Sequence, residues 1–174
     1  MRPLRPFPFP FNVGTDICQI SRIHRILRSP RRARFARRVL APEEQRAGIG
    51  LRLVSSSGTD SGDGSSPCHG SNPSVKDGDE LWKSAVFVAG RFAAKEAAIK
   101  AHSHRRLTFQ DIIIERRRDD QGQRLGSGPP IARIRGEEGA EEDTSAAVSI
   151  SHDGDYATAV CIGYDPRDGV GSKT

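Results

Sequence analysis

The sequence predicts an α+β fold, and three stretches carry that reading. A helical pattern runs from about Glu80 through Ala101, with small residues filling one side, as close packing against a sheet or a neighbouring helix requires. AAVSISH alternates Val148 and Ile150 with Ser149 and Ser151. The Asp153-Gly154 turn dipeptide and then YATAVCI follow, which is a β-hairpin pattern with His152 at its mouth. TFQDIIIE is β-branched and reads as a strand.

Taken in chain order, the elements fit one domain over residues 11–165, with flexible tails at 1–10 and 166–174. NVGTDI predicts a short strand running into a helix, because Ile17, Ile20, Ile23 and Ile26 recur at helical spacing and Ser29-Pro30 stops the pattern. Arg22, Arg25 and Arg28 fall every third residue on the solvent side of that helix. A second helical piece is expected from Phe35 to Leu40. APEEQ then suits a helical first turn, with Pro and paired acids where the backbone N–H groups are unpaired. From Ser55 to Gly78, 15 of 24 residues are Ser, Gly or Pro, so this stretch is read as a disordered insert leaving the fold. Beyond the long helix come TFQDIIIE, a weaker strand IARI after Gly128-Pro129-Pro130, and the hairpin. The tail from Asp165 is expected to fray.

Composition excludes several classes. A chain of 174 residues can bury a core without covalent staples. Cys18, Cys68 and Cys161 are odd in number and lack C-x-x-C spacing, so Cys18 and Cys161 read as small buried hydrophobes and not as metal ligands. No apolar run approaches the roughly 20 residues of a membrane span. The opening MRPLRPFPFPFN is Arg-bearing and acid-free like a transit peptide, but its prolines oppose an amphipathic helix; the compartment is read as cytoplasmic, with the mitochondrial matrix as the alternative. The net charge is +5, and residues 1–46 hold eleven arginines against Asp16, Glu43 and Glu44, which points to an anionic partner. A nucleic-acid-binding module would use that charge. Aromatic residues make up only 6% of the chain, however, and no RNP, zinc-finger or helix-turn-helix pattern is present.

One residue sits oddly in RFAAKEAAIKAH. At 100° per residue, Glu96 falls between Phe92 and Ile99 on one side and Ala93 and Ala97 on the other, a half-buried position, while Arg91, Lys95 and His102 share a separate basic stripe. Lys100 is one turn beyond Glu96. In isolation the two form an ordinary i to i+4 pair worth roughly 0.3–0.5 kcal/mol. Asp16 in isolation could be a helix N-cap.

Together, VGTDICQISRI, RFAAKEAAIKA and VSISHDGDYATAV resemble, in order, the three signature segments of the holo-acyl-carrier-protein synthase family of 4′-phosphopantetheinyl transferases. Gly14, Asp16, Arg22 and Ile23 match the first; Arg91, Lys95, Glu96 and Lys100 the second; Val148 to His152, Asp155 and Tyr156 the third. The likeness covers nearly everything outside the insert and the tails. It implies the 4′-phosphopantetheinyl transferase fold, an antiparallel sheet packed with a long central helix. It also implies transfer of the phosphopantetheine arm of coenzyme A to a serine of an apo acyl carrier protein, with release of adenosine 3′,5′-bisphosphate.

By that resemblance, Asp16 and Glu96 hold Mg²⁺, and Glu96 and Lys100 are catalytic. Arg91, Lys95, Lys100, Ser151 and His152 contact coenzyme A, and Arg22 and Arg38 dock the carrier. Arg25 and Arg28 join them by helical geometry. Mg²⁺ on one or two carboxylates is the usual device for neutralising a diphosphate. The partners implied are the apo acyl carrier protein, coenzyme A and two further copies in a homotrimer, with no nucleic acid and no membrane. The chain departs from the family pattern twice. His102, Ser103, His104, Arg105 and Arg106 replace a Gly-rich turn, and Ala147 stands where many members have histidine. These departures raise the alternative of an inactive transferase-like protein. The His102-x-His104 spacing is read as solvated and not as a metal pair. Arg31, Arg32, Arg34, Arg37 and Arg38 read as a solvated face in which Arg38 alone has a family counterpart.

Overall fold

The structure is a computed structural model and describes residues 9–46, 48–55, 73–116, 129–137 and 139–165. Strand β1 (Phe11–Gln19) leads directly into helix α1 (Ile20–Leu27), followed by α2 (Arg32–Val39), the one-turn α3 (Pro42–Gln45), α4 (Gly48–Ser55) and the long α5 (Pro73–Ala101). A 3₁₀ turn (Phe109–Asp111) then opens β2 (Ile112–Arg116), β3 (Pro130–Ile134), β4 (Thr144–Asp153) and β5 (Tyr156–Tyr164). All neighbouring strands are antiparallel, in the order β1-β5-β4-β3-β2. The expected α+β architecture is therefore the one observed.

Alternation along the strands decides which face meets α5. On β1, Gly14 and Cys18 are buried and Asp16 is half-buried, while Val13, Thr15 and Ile17 point outward. On β5, Ala157, Ala159, Cys161 and Gly163 form the buried row. Opposite them, α5 offers Ala89, Ala93, Ala94, Ala97, Ala98 and Ala101, all fully buried. Small residues on both sides let the backbones approach closely. At Gly14 the approach is so close that a Cβ would run into Ala97 O and Ala101 N of the helix. The first glycine of the signature is thus set by packing, because no side chain fits between strand and helix there.

The tight hairpin performs a second task. Gly154 turns it with φ +52°, and Asp155 beside it reaches the start of α1. Ser21 N and Ser21 Oγ donate to the Asp155 carboxylate at 2.7 and 2.6 Å, and Ile20 N donates to Asp155 O at 2.8 Å. Gln19, the local N-cap, makes no side-chain capping bond to the helix; its Nε2 donates instead to Asp155 Oδ2 at 2.8 Å. The cap of α1 is therefore supplied from the far end of the chain, which gives the acid of the third signature a structural reason.

Several boundaries differ from the sequence reading. Ile17 does not join the helical row, since β1 continues to Gln19 and leaves Ile17 exposed on the outer face. Asp16 is mid-strand and caps no helix. Helix α4 was not foreseen, and α5 begins at Pro73, not near Glu80. The central part of the expected insert, residues 56–72, lies outside the described residues, as do tail residues 1–8 and 166–174 and Cys68. Asp165, expected to fray, is 1% exposed; its N–H donates to Pro10 O at 2.9 Å and its Oδ2 accepts from Asn12 Nδ2 at 2.6 Å. The main chain just before β1 and a side chain of β1 thus hold it. Cys18 and Cys161 are free and buried as expected, and burial pushes the Cys161 thiol up to about 11, so it stays protonated.

Gly14→Ala is expected to lower the unfolding free energy by about 2–3 kcal/mol, read from urea unfolding curves. Hydrogen bonds from Ser21 hold the Asp155 carboxyl below its ordinary value of 3.8. The stability it contributes is therefore complete above that value and lost as pH falls through the lowered one. Asp155→Ala should melt below the parent at neutral pH, and the gap should close as the buffer approaches pH 2.

Candidate active site

The crossing of β1 and α5 brings the first two signatures together. Lys100 Nζ donates to Asp16 Oδ1 at 2.8 Å and to Thr15 O at 2.9 Å, so the lysine one turn beyond Glu96 closes on the strand that carries Asp16. Asp16 is recessed, its side chain 17% exposed, whereas Lys100 is half open to solvent. Glu96 makes no hydrogen bond or ion pair among the described residues, although it is half-buried. A recessed carboxylate without a partner costs solvation, which a ligand or ion could return.

Glu96 lines two adjoining clefts. One, of about 330 Å³, is walled by Arg22, Arg38, Phe92, Phe109 and Val39; the other, of about 430 Å³, adds Arg37, Ile99 and Gln110. Arg22 lies over the Phe92 ring at 5.6 Å, and its Nη2 is 3.6 Å from Cys18 Sγ. Arg22, Arg25, Arg28 and Arg38 are all exposed, and of these four Arg22 and Arg38 line the depression that holds Glu96. The aromatic walls Phe92 and Phe109, 5.2 Å apart between ring centres, were not among the residues picked from the sequence.

Arg91 and Lys95 point elsewhere. Lys95 is fully buried, and its Nζ donates to Glu44 Oε2 at 2.5 Å, Val39 O at 2.9 Å and Phe109 O at 3.0 Å. With all three protons committed, it has none to offer coenzyme A. The expectation of direct contact is corrected to a structural role. Burial draws the Lys95 ammonium below its ordinary pKa, and Glu44 opposes that shift. Glu44 also bonds back to Ala41 N at 2.8 Å and lies 3.6 Å from Arg91 Nε. Sequence reading took Glu44 only as a helix-start acid. Nothing local in APEE marks it as the partner of a lysine fifty-one residues on.

Arg91 stacks over Phe87 at 3.7 Å and opens into a separate cavity of about 500 Å³ lined by Glu43, Glu44, Glu115 and Arg116. The basic stripe of Arg91, Lys95 and His102 is therefore no solvent-facing surface. His102 is 4% exposed; its Nδ1 lies 2.7 Å from Ala98 O, and its ring lies against Gly163. The expectation that it is solvated is corrected. Its neighbour His104 reaches Asp165 at 3.7 Å.

Ser151 and His152 occupy opposite faces of β4. A Cβ at Gly90 would sit 2.9 Å from His152 Nε2, so His152 packs on α5 one residue before Arg91. Ser151 is on the outer face with Ala147, which pairs with Ile131 and Ile162. One copy of the chain thus joins Asp16 to Lys100 and sets Glu96, one helical turn before that lysine, in a cleft with Arg22 and Arg38. Arg91 and His152 lie at a second place, and Ser151 on a third surface.

No group of three or more His, Cys, Asp or Glu side chains among the described residues could enclose a metal. Asp16 bonded to Lys100, with Glu96 one helical turn before that lysine, supplies carboxylates of the kind that suit Mg²⁺, an ion that binds one or two carboxylates, keeps several waters and takes phosphate oxygens. Among the described residues Glu96 has no partner, and Lys100 engages only the Oδ1 oxygen of Asp16. The donor set therefore suits a hard cation shared with a diphosphate, and not an all-protein cage.

No protein-family profile matches the chain. It is 36% identical over 169 residues to 4′-phosphopantetheinyl transferase B, mitochondrial, of Aspergillus fumigatus, which covers 91% of this chain and 97% of that protein. It is 32% identical over 153 residues to the holo-[acyl-carrier-protein] synthase of Geobacillus kaustophilus, covering 86% and 85%. Among solved structures, the holo-ACP-synthase of Plasmodium yoelii superposes with a TM-score of 0.51 at 25% identity, over 88% of this chain and 94% of that one. Fold and relatives together define a phosphopantetheinyl transferase. The chain belongs to the holo-acyl-carrier-protein synthase family.

Burial holds His102 below its ordinary pKa of 6.5, against the bond to Ala98 O. Below about that pH the unfolded chain takes up a proton that the folded chain refuses, so stability is intact above it and declines as pH falls towards the lowered value. His102→Gln should flatten this part of the melting-temperature profile between pH 7 and 5.

Proposed function

We propose that the chain transfers the 4′-phosphopantetheine arm of coenzyme A to a serine hydroxyl of an apo acyl carrier protein, releasing adenosine 3′,5′-bisphosphate with Mg²⁺ as cofactor. The observation that carries this reading is the half-buried Glu96, without a partner among the described residues and one helical turn before the Lys100 that pairs with Asp16. Mg²⁺ held by Asp16 and Glu96 would supply charge neutralisation on the diphosphate oxygens. Glu96 accepts the proton of the attacking serine, directly or through a water, and its recessed position keeps it beside the nucleophile. Lys100 has three protons and a half-exposed head, so it can turn from Asp16 to a phosphate oxygen as charge develops on the leaving group. Arg22, Arg25, Arg28 and Arg38 attract the acidic carrier and bring its serine to the rim of the cleft. Lys95 acts only through the wall that it holds.

The coenzyme A site is proposed to be completed by neighbouring copies in a homotrimer. Val13, Ile17, Ile162 and Tyr164 are 46–63% exposed on the outer sheet face, and Val13 pairs with Ile162 across β1 and β5. Such a contiguous apolar row is what an interface between subunits would cover. Ser151 lies on that face, so its contact with the cofactor would be made across the interface. Among the described residues no helix is long and apolar enough to cross a membrane. Of the two compartments left open by the sequence, the fungal relative's name favours the mitochondrial one.

The test is incubation with coenzyme A, Mg²⁺ and an apo carrier, with the added arm read by mass. Asp16→Ala and Glu96→Gln should each lower kcat by roughly two orders of magnitude or more. Arg22→Glu should chiefly raise KM for the carrier, with an effect that shrinks as salt is added. Unimpaired modification by both carboxylate variants would remove the metal assignment. A parent inert towards several carriers would favour the inactive alternative. Ile162→Asp should give a smaller species in sedimentation and lose activity with it.

A further inference from the structure

The end of α2 is held in an unusual way. A helix leaves its last four carbonyls without partners, and a glycine cap commonly follows. Here Leu40 continues as extended chain with φ −88° and ψ 130°, and no glycine is present. Three side chains from three other segments take over. Gln110 Nε2, with two protons to give, donates to Arg37 O and Arg38 O, both at 2.9 Å, and lies 3.2 Å from Leu40 O, where it can only share one of them. Gln45 Nε2 donates to Leu40 O at 2.6 Å, and Lys95 Nζ donates to Val39 O at 2.9 Å. Every terminal carbonyl from Arg37 to Leu40 is thereby satisfied from outside the helix.

Arg38, the residue so gripped, behaves differently. Its side chain is exposed, makes no hydrogen bond or ion pair among the described residues, and overhangs both clefts that contain Glu96. With nothing holding the guanidinium itself, its place is set by where the backbone of residues 37–40 is fixed. Gln110 is the only one of the three clamps that bonds to the carbonyl of Arg38 itself, and it lines the same cleft.

We propose that Gln110 is a positioning residue for carrier recognition. By gripping the carbonyls of Arg37 and Arg38, it aims the Arg38 guanidinium at the acidic carrier beside Glu96. This rests on the reading of the chain as a carrier-modifying transferase. Gln45 and Lys95 keep α2 folded without it, so its loss redirects one charge and leaves the core and the chemistry intact.

The experiment is a double-mutant cycle on the full chain, with apo carrier varied at saturating coenzyme A and Mg²⁺. Gln110→Met, which keeps the shape and removes the donors, should raise KM for the carrier by about threefold to tenfold, the range for one or two lost hydrogen bonds, and keep kcat within about twofold. In an Arg38→Ala background the same substitution should change KM little, because the group it aims is gone. A fall in kcat with KM unchanged overturns the proposal. So does an undiminished rise in KM in the Arg38→Ala background, which would mean general loosening. Carrier binding measured without coenzyme A separates the two levels. A parent that neither binds nor modifies the carrier overturns the transferase reading and the proposal with it. A parent that does both, with Gln110→Met indistinguishable from it, overturns the proposal alone.

Discussion

The contact on which the rest depends is the crossing of β1 over α5 at Gly14. Strand and helix meet there with no room for a single carbon atom between Gly14 and the backbone at Ala97 and Ala101. Asp16, two residues along the strand, is carried to within 2.8 Å of Lys100 as a result. The alanines of α5 and the small residues of β5 extend the same seam along the sheet. Dispersion and excluded water stabilise such a seam through many small contacts, and one methyl group in the wrong place disturbs all of them. The acidic and basic groups of the site owe their proximity to this apolar geometry.

Charges in this molecule fall into two sets, and burial separates them. Glu44, Lys95 and Asp165 are deep, with their hydrogen-bonding capacity used inside the protein. Glu44 and Lys95 tie α2, α3 and the 3₁₀ turn to α5, which spaces the wall of the Glu96 cleft. A buried pair of this kind adds little net stability against an apolar substitute, but losing one partner strands the other. Glu96 is half-buried without a partner among the described residues, and Lys100 and Arg38 reach into solvent. The deep set provides the frame around these more open groups.

Much of this was readable beforehand. Alternation in AAVSISH and YATAVCI identified the hairpin because one face of it is buried. The small side of α5 announced a close neighbour, and Glu96, half-buried as its helical position implied, lines two clefts. Local signals failed where partners are distant. Ile17 carried helical spacing, yet the pairing of β1 with β5 kept it in a strand. His102 ended a helix, where fraying is the usual outcome, yet Gly163 leaves room for its ring. The Asp155 cap of α1 and the Glu44–Lys95 bond join residues 134 and 51 positions apart, and no window of sequence contains both partners.

The sequence by itself determined the class of fold and the family likeness, since periodicity, composition and motif spacing are properties of neighbouring residues. Only the tertiary structure decided which charges are available. Arg91 and Lys95 belong to the same motif as Glu96 and Lys100, but the helix turns them towards Glu44, and burial fixes them there. Direction around a helix can be read from spacing; what waits on each side of it depends on packing between segments remote in the chain.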